Sequence, residues 1–154
     1  MTAIDEHKEL VGKWQGTNKL WIMPEDPVHL SETTADISIT PHDQFIELIY
    51  SWVYDGEPQE GRIIFGQTPD SRQVKAVWFD TWHVTNQFMV FDGNVDDKGV
   101  VEVLGSYPAP EGPDWGWQIT IEPRGRDVFH LLMHNIIPNE GKYLAVEAIY
   151  SRKN

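Results

Sequence analysis

In Trp115-Gly116-Trp117-Gln118-Ile119-Thr120-Ile121-Glu122, every second side chain is large and apolar, and those between are small or polar. A period of two marks a β-strand with one face in a core and the other in water. Upstream, Ala35, Ile37 and Ile39 alternate with Asp36, Ser38 and Thr40 in the same way. From Gln44 to Tyr54 both faces carry apolar residues. Glu47 and Ser51 fall among Phe45, Ile49 and Val53, which makes Leu48, Tyr50, Trp52 and Tyr54 the inner set. Near the end of the chain Leu144, Val146, Ala148 and Tyr150 share an inner face, with Arg152 in phase behind them.

The same reading predicts strands over Lys13–Ile22, Thr33–Thr40, Gln44–Tyr54, Glu60–Gln67, Gln73–Thr81, Gln87–Asp92, Val100–Tyr107, Trp115–Glu122, Val128–Ile136 and Tyr143–Arg152. The breaks between them have turn chemistry. Asp55-Gly56 suits a tight hairpin, Asp96-Asp97-Lys98-Gly99 suits a turn, and Pro108, Pro110 and Pro113 forbid regular pairing. Strands this closely spaced join most simply as antiparallel neighbours. A flat sheet of about ten strands leaves sticky edges, whereas closure removes them. The expected fold is therefore all-β, a closed antiparallel up-and-down barrel, with a two-sheet sandwich as the alternative. Only Ile4–Val11 has helical spacing, with acids in its first turn and Gly12 to stop it.

The 154 residues fit a single domain, 1–154, and no linker or repeat divides them. Seven Trp, six Phe and five Tyr supply ample area for one core. The formal net charge of −12 disfavours nucleic acid and anionic membrane surfaces as partners. No cysteine is present, which excludes disulfides, thiolate metal sites and Cys nucleophiles. The polar, acidic start from Met1 to Lys8 has no signal-peptide pattern, so a cytoplasmic location is expected.

Gly12-Lys13-Trp14 is a Gly-x-Trp element opening the first strand, and it resembles the start of lipocalins and fatty-acid-binding proteins. In those families an Arg near the end of the last strand packs across the Trp, and Arg152 stands at that place. A flat cation suits an indole face and leaves its N–H groups free for carbonyls. Longer segments resemble a family of lipocalin-like bacterial proteins of unknown function: Leu10–Gly16, Tyr54–Gly61, Val77-Trp78-Phe79-Asp80-Thr81 and Glu147–Lys153. That likeness spans nearly the whole chain and implies a calycin-type barrel, but brings no activity with it. After the Trp-x-Asp element the usual small polar residues are replaced by Trp82-His83-Val84, which alters the expected cavity mouth. A more distant likeness is to nitrobindins, whose haem ligand is a His on the final strand. Tyr143–Arg152 contains no His, and no cofactor is expected.

Trp78-Phe79-Asp80-Thr81-Trp82-His83 is the segment richest in chemistry. On a strand Trp78, Asp80 and Trp82 share a face, and an acid between two indoles would have its pKa pushed up by desolvation. Such a group suits a ligand's polar end or a proton transfer. The competing reading makes Asp80 the cap of a turn at the strand end. His130 and His134 would be about 13 Å apart along a strand, too far to share one ion, and an inward set of Phe129, Leu131 and Met133 turns both outward. No metal site follows from them. His7, His29 and His42 fall near ends or loops and are expected to be solvated. Gly105-Ser106-Tyr107 lacks the second glycine of a nucleophile elbow, and no Gly-rich loop precedes a helix.

What remains is an aromatic interior. Tyr50, Trp52, Trp78, Asp80, Trp82, His83, Tyr107 and Trp117 form the candidate ligand-binding set, with no catalytic role assigned within it. The first reading is a carrier or sensor of a small apolar or aromatic molecule. The second is a cofactor-independent isomerase or cyclase using Asp80 or His83. The third is a structural homodimer with a filled interior. An open pocket separates the first two from the third, and a buried Asp–His or Asp–Tyr contact inside it favours the second.

Overall fold

The structure is a computed structural model that describes residues 7–154. Ten antiparallel strands follow one another in a meander: β1 (Gly12–Leu20), β2 (His29–Ile39), β3 (Ile46–Tyr54), β4 (Glu57–Gln67), β5 (Gln73–Asp80), β6 (Met89–Val95), β7 (Val101–Tyr107), β8 (Trp115–Pro123), β9 (Val128–Ile137) and β10 (Gly141–Arg152). Each pairs with its neighbours in sequence, and β1 pairs with β10 to close the barrel. All ten expected strands are present, with ends shifted by a few residues, and the sandwich alternative is excluded. Of the expected helix, Lys8–Leu10 forms a single 3-10 turn, and Ile4, Asp5 and Glu6 lie outside the described residues. No helix among the described residues is long and apolar enough to cross a membrane.

The inner faces are those set by alternation. Leu48, Tyr50 and Trp52 of β3, Trp117, Ile119 and Ile121 of β8, and Phe129, Leu131 and Met133 of β9 are buried in one continuous core. His130 and His134 accordingly lie on the other face of β9 and are half-buried. Two expectations fail. Leu144 is only half-buried, because a bulge between Leu144 and Val146 resets the strand and buries Ala145 and Val146 together. His7 is not solvated: it is 1% exposed, stands edge-on to Phe65, and has Nε2 2.7 Å from the Gly99 carbonyl oxygen. The 3-10 turn after it carries the chain under one end of the barrel, which a charge pattern alone does not reveal.

Trp14 and Arg152 are directly paired across the closing seam, and the guanidinium carbon lies 4.3 Å from the indole centroid. Arg152 also donates to the carbonyls of Val11 (3.1 Å), Glu9 (2.5 Å) and Arg126 (2.6 Å), tying the first turn and the β8–β9 turn to the last strand. The Gly-x-Trp glycine has its own reason. Gly12 has φ 137°, and a Cβ there would sit 3.0 Å from Arg152 Nη1. Replacing Arg152 by Ala is expected to cost about 1–2 kcal/mol of stability, read as a shift in the denaturation midpoint. An unchanged midpoint would show that the stack and the three carbonyl bonds contribute nothing net.

Candidate functional site

The ends of β3, β5 and β7 and the starts of β6 and β8 meet at the rim opposite the Trp14–Arg152 pair. This rim brings together all eight residues singled out above. Tyr50 and Trp52 come from β3, Trp78 and Asp80 from β5, Tyr107 from β7 and Trp117 from β8, while Trp82 and His83 stand on the loop over 81–88. They divide into a buried polar floor and an open cleft above it.

Asp80 is the centre of the floor, 2% exposed. Its Oδ1 accepts the backbone N–H groups of Trp82 (2.8 Å) and His83 (2.9 Å), so it caps the turn that leaves β5. Its Oδ2 accepts the Tyr50 hydroxyl (2.7 Å) and the Trp52 indole N–H (3.2 Å). The Trp78 N–H donates in turn to the Tyr50 oxygen at 2.9 Å. The two readings of Asp80, turn cap and acid among indoles, are thus one arrangement.

The expected upward shift of the Asp80 pKa is corrected. Burial does push the carboxyl up, but the His83 imidazole, the Tyr50 hydroxyl and the His83 backbone N–H outweigh it, and the pKa lies below the ordinary carboxylate value. Tyr50 moves the other way: burial and the neighbouring carboxylate hold its hydroxyl well above the usual value, so it remains a donor.

His83 is enclosed by aromatic rings. Its centroid lies 5.7 Å from Trp52, 5.5 Å from Trp78, 4.7 Å from Trp82 and 5.5 Å from Trp117. Trp78 and Trp117 stack on each other at 5.4 Å with planes 6° apart. His83 Nδ1 is 3.2 Å from Asp80 Oδ1, off the line of a hydrogen bond, so the contact is electrostatic. Both imidazole nitrogens and the Trp117 Nε1 are buried with no hydrogen-bond partner among the described residues.

Above this floor lies a half-open cleft of ≈ 620 Å³. Trp78, Trp82, His83, Tyr107 and Trp117 line it, as the sequence suggested, together with Val84, Thr85, Gln87, Met89 and Pro108. Tyr50, Trp52 and Asp80 lie beneath and do not line it. Met89 was missed although a signal existed: it is in phase with the inward Phe91, while Phe88 and Val90 on the alternate face stay 66% and 60% exposed. Ladder pairing between β6 and β7 ends at Asp92 and Leu104, short of the rim where Met89 and Tyr107 stand. Tyr107 is anchored by donating to Asn135 Oδ1 at 2.5 Å. No group of three His, Asp or Glu able to hold a metal occurs among the described residues.

The model of a family described as "Protein of unknown function (DUF1579)" matches residues 5–152. The chain belongs to that family. No curated protein matches its sequence. Among solved structures, the DUF1579 barrel is similar to the S-type phycobiliprotein lyase CPES from Guillardia theta. The TM-score is 0.68 at 11% identity, covering 100% of this chain and 94% of that one. It is similar to the same degree to Rv2717c from M. tuberculosis, with a TM-score of 0.68 at 14% identity, covering 99% and 98%. At these identities the likeness concerns the fold: a DUF1579 chain and both neighbours share one barrel architecture from end to end.

Proposed function

We propose that this barrel binds a small, flat, largely apolar molecule in the rim cleft. The observation that carries the reading is the cleft's composition: three indoles, a phenol and a thioether around ≈ 620 Å³, a volume suited to a small-molecule site. A barrel of the same architecture is described as a phycobiliprotein lyase, and it supports the reading only as a case of this fold carrying a biochemical activity. An aromatic cleft of this size at the rim favours binding over a purely structural role.

Catalysis by proton transfer draws on the Asp80–His83 contact of 3.2 Å. Binding is the better account. Asp80 lies beneath the cleft without lining it and spends its oxygens on four donors, so it presents no free base to a molecule lying there.

The test uses a neutral apolar dye, N-phenyl-1-naphthylamine. It is expected to bind the native protein with saturation at about one dye per barrel and to quench Trp emission, because one cleft offers one site. Met89→Lys, which puts a charge into the lining, is expected to abolish binding while β-structure measured by circular dichroism is unchanged. Absence of saturable binding to the native protein would overturn the reading.

A further inference from the structure

The cleft contains an unfinished piece of hydrogen bonding. Trp117 lines it, is 7% exposed, and has an indole N–H buried with no acceptor among the described residues. Buried indole N–H groups ordinarily find a partner, and leaving one unmade costs the desolvation of the group. Three other buried indoles, two of them at this rim and Trp14 at the opposite one, differ in this respect. The N–H of Trp14 is bonded to the Leu10 carbonyl, that of Trp52 to Asp80, and that of Trp78 to Tyr50. Of the stacked pair that lines the cleft, Trp78 has its N–H bonded and Trp117 does not. Beside it, with ring centroids 5.5 Å apart, the His83 imidazole has Nδ1 against Asp80 and Nε2 buried without a hydrogen-bond partner among the described residues.

The charge around these atoms restricts what can complete them. No Lys or Arg lines the cleft, and the Asp80 carboxylate lies just beneath His83. A carboxylate, sulfonate or phosphate entering here would be a buried anion with no Lys or Arg beside it and with the Asp80 carboxylate below, which is costly. A neutral acceptor meets no such penalty. The aromatic walls, with Trp78 and Trp117 parallel, favour a planar ring system carrying it.

We infer that the ligand of this cleft is a neutral planar aromatic molecule bearing a carbonyl-type acceptor, which receives the Trp117 indole N–H. This rests on the cleft being the binding site, and deepens that reading by naming the chemical class. The loop over 81–88 contributes Trp82, His83, Val84, Thr85 and Gln87 to the lining.

Three matched probes test it by displacement of N-phenyl-1-naphthylamine: 2-acetylnaphthalene, 2-isopropenylnaphthalene and 2-naphthoate. They share a ring and a near-identical outline, and differ in having a neutral acceptor, none, or an anion. The acetyl compound is expected to bind about five- to tenfold tighter than the hydrocarbon, the worth of one net hydrogen bond, and the naphthoate weakest. In Trp117→Phe the acetyl and hydrocarbon affinities are expected to converge to within about twofold, with the hydrocarbon itself little changed. Equal affinity of all three for the native protein, or naphthoate binding tightest, would overturn the inference and leave the binding site standing. A preference that survives Trp117→Phe would also overturn it. If Trp117→Phe does not fold, the ranking of the three probes on the native protein decides alone. If the dye binds and none of the three displaces it, the inference fails; if the dye does not bind, the site reading fails with it.

Discussion

Replacing Asp80 by Ala is expected to destabilise the barrel by about 3–5 kcal/mol, among the largest effects of any single change at the rim. The reason is the number of donors that one buried carboxylate serves. Trp82 N–H, His83 N–H, Tyr50 OH and Trp52 N–H all end on it, and none has a second acceptor within the network. Truncation leaves these donors buried and unpaired and releases the turn that carries Trp82 and His83. Asp80→Asn keeps the volume and one oxygen, so a smaller loss is expected. The two variants are compared by denaturant unfolding at neutral pH. A loss under about 1 kcal/mol for Asp80→Ala would mean that the floor rearranges at little cost. The pH dependence has a definite sign. The folded pKa of Asp80 is lowered from the ordinary 3.8, so the carboxylate's contribution is complete above that value and is lost as pH falls through the lower, folded one. Wild-type stability should therefore fall more steeply on acidification below about pH 4 than that of Asp80→Asn.

Gly16→Ala is the second large effect. Gly16 pairs with Tyr150 in the closing ladder, and a Cβ on it would lie 1.9 Å from the Ile149 carbonyl oxygen and 2.8 Å from its carbon. These are backbone atoms of the paired strand, with no rotamer that can move aside. β1 must then lift from β10, and a loss of about 3 kcal/mol or more is expected. Gly116→Ala is the comparison, since a Cβ there meets the Ile136 side chain at 3.1 Å and backbone only at the ordinary contact distance of 3.7 Å, the Gly105 carbonyl oxygen. Equal midpoints for the two variants in denaturant would show that the seam tolerates the insertion.

The staves of the barrel were legible in the sequence, and its rims were not. Trp117 and Ile119 are buried and Gln118 between them is only half-buried because one face of β8 meets the core, which is what a period of two records. Turns such as Asp55-Gly56 announce themselves through residues that tolerate positive φ, and Asp55 has φ 49°. The Arg152–Trp14 stack was readable through the resemblance to lipocalins and fatty-acid-binding proteins, with Arg152 in phase on the last strand. What failed depended on three-dimensional detail. The bulge at Leu144–Val146 falls in an apolar run where alternation gives no register. His7 is buried by a turn whose packing partner, Phe65, is remote in sequence. The sign of the Asp80 shift turned on how many donors converge, and neither Tyr50 nor the loop amides reveal their direction in a string of letters.

β1 and β10 stand at opposite ends of the described chain and become neighbours only when the barrel closes. Every other pairing joins consecutive strands and can form locally, as a hairpin adds to a hairpin. Closure is different in kind: it spends the loop entropy of nearly the whole chain on one ladder. The last event in folding should therefore be the docking of β10 on β1. Until then both strands offer bare backbone edges to any other chain, and a slow final step prolongs that exposure. The Arg152 guanidinium reaches Trp14, Val11 and Glu9 across this same seam, so it fastens the two edges together only after they have met.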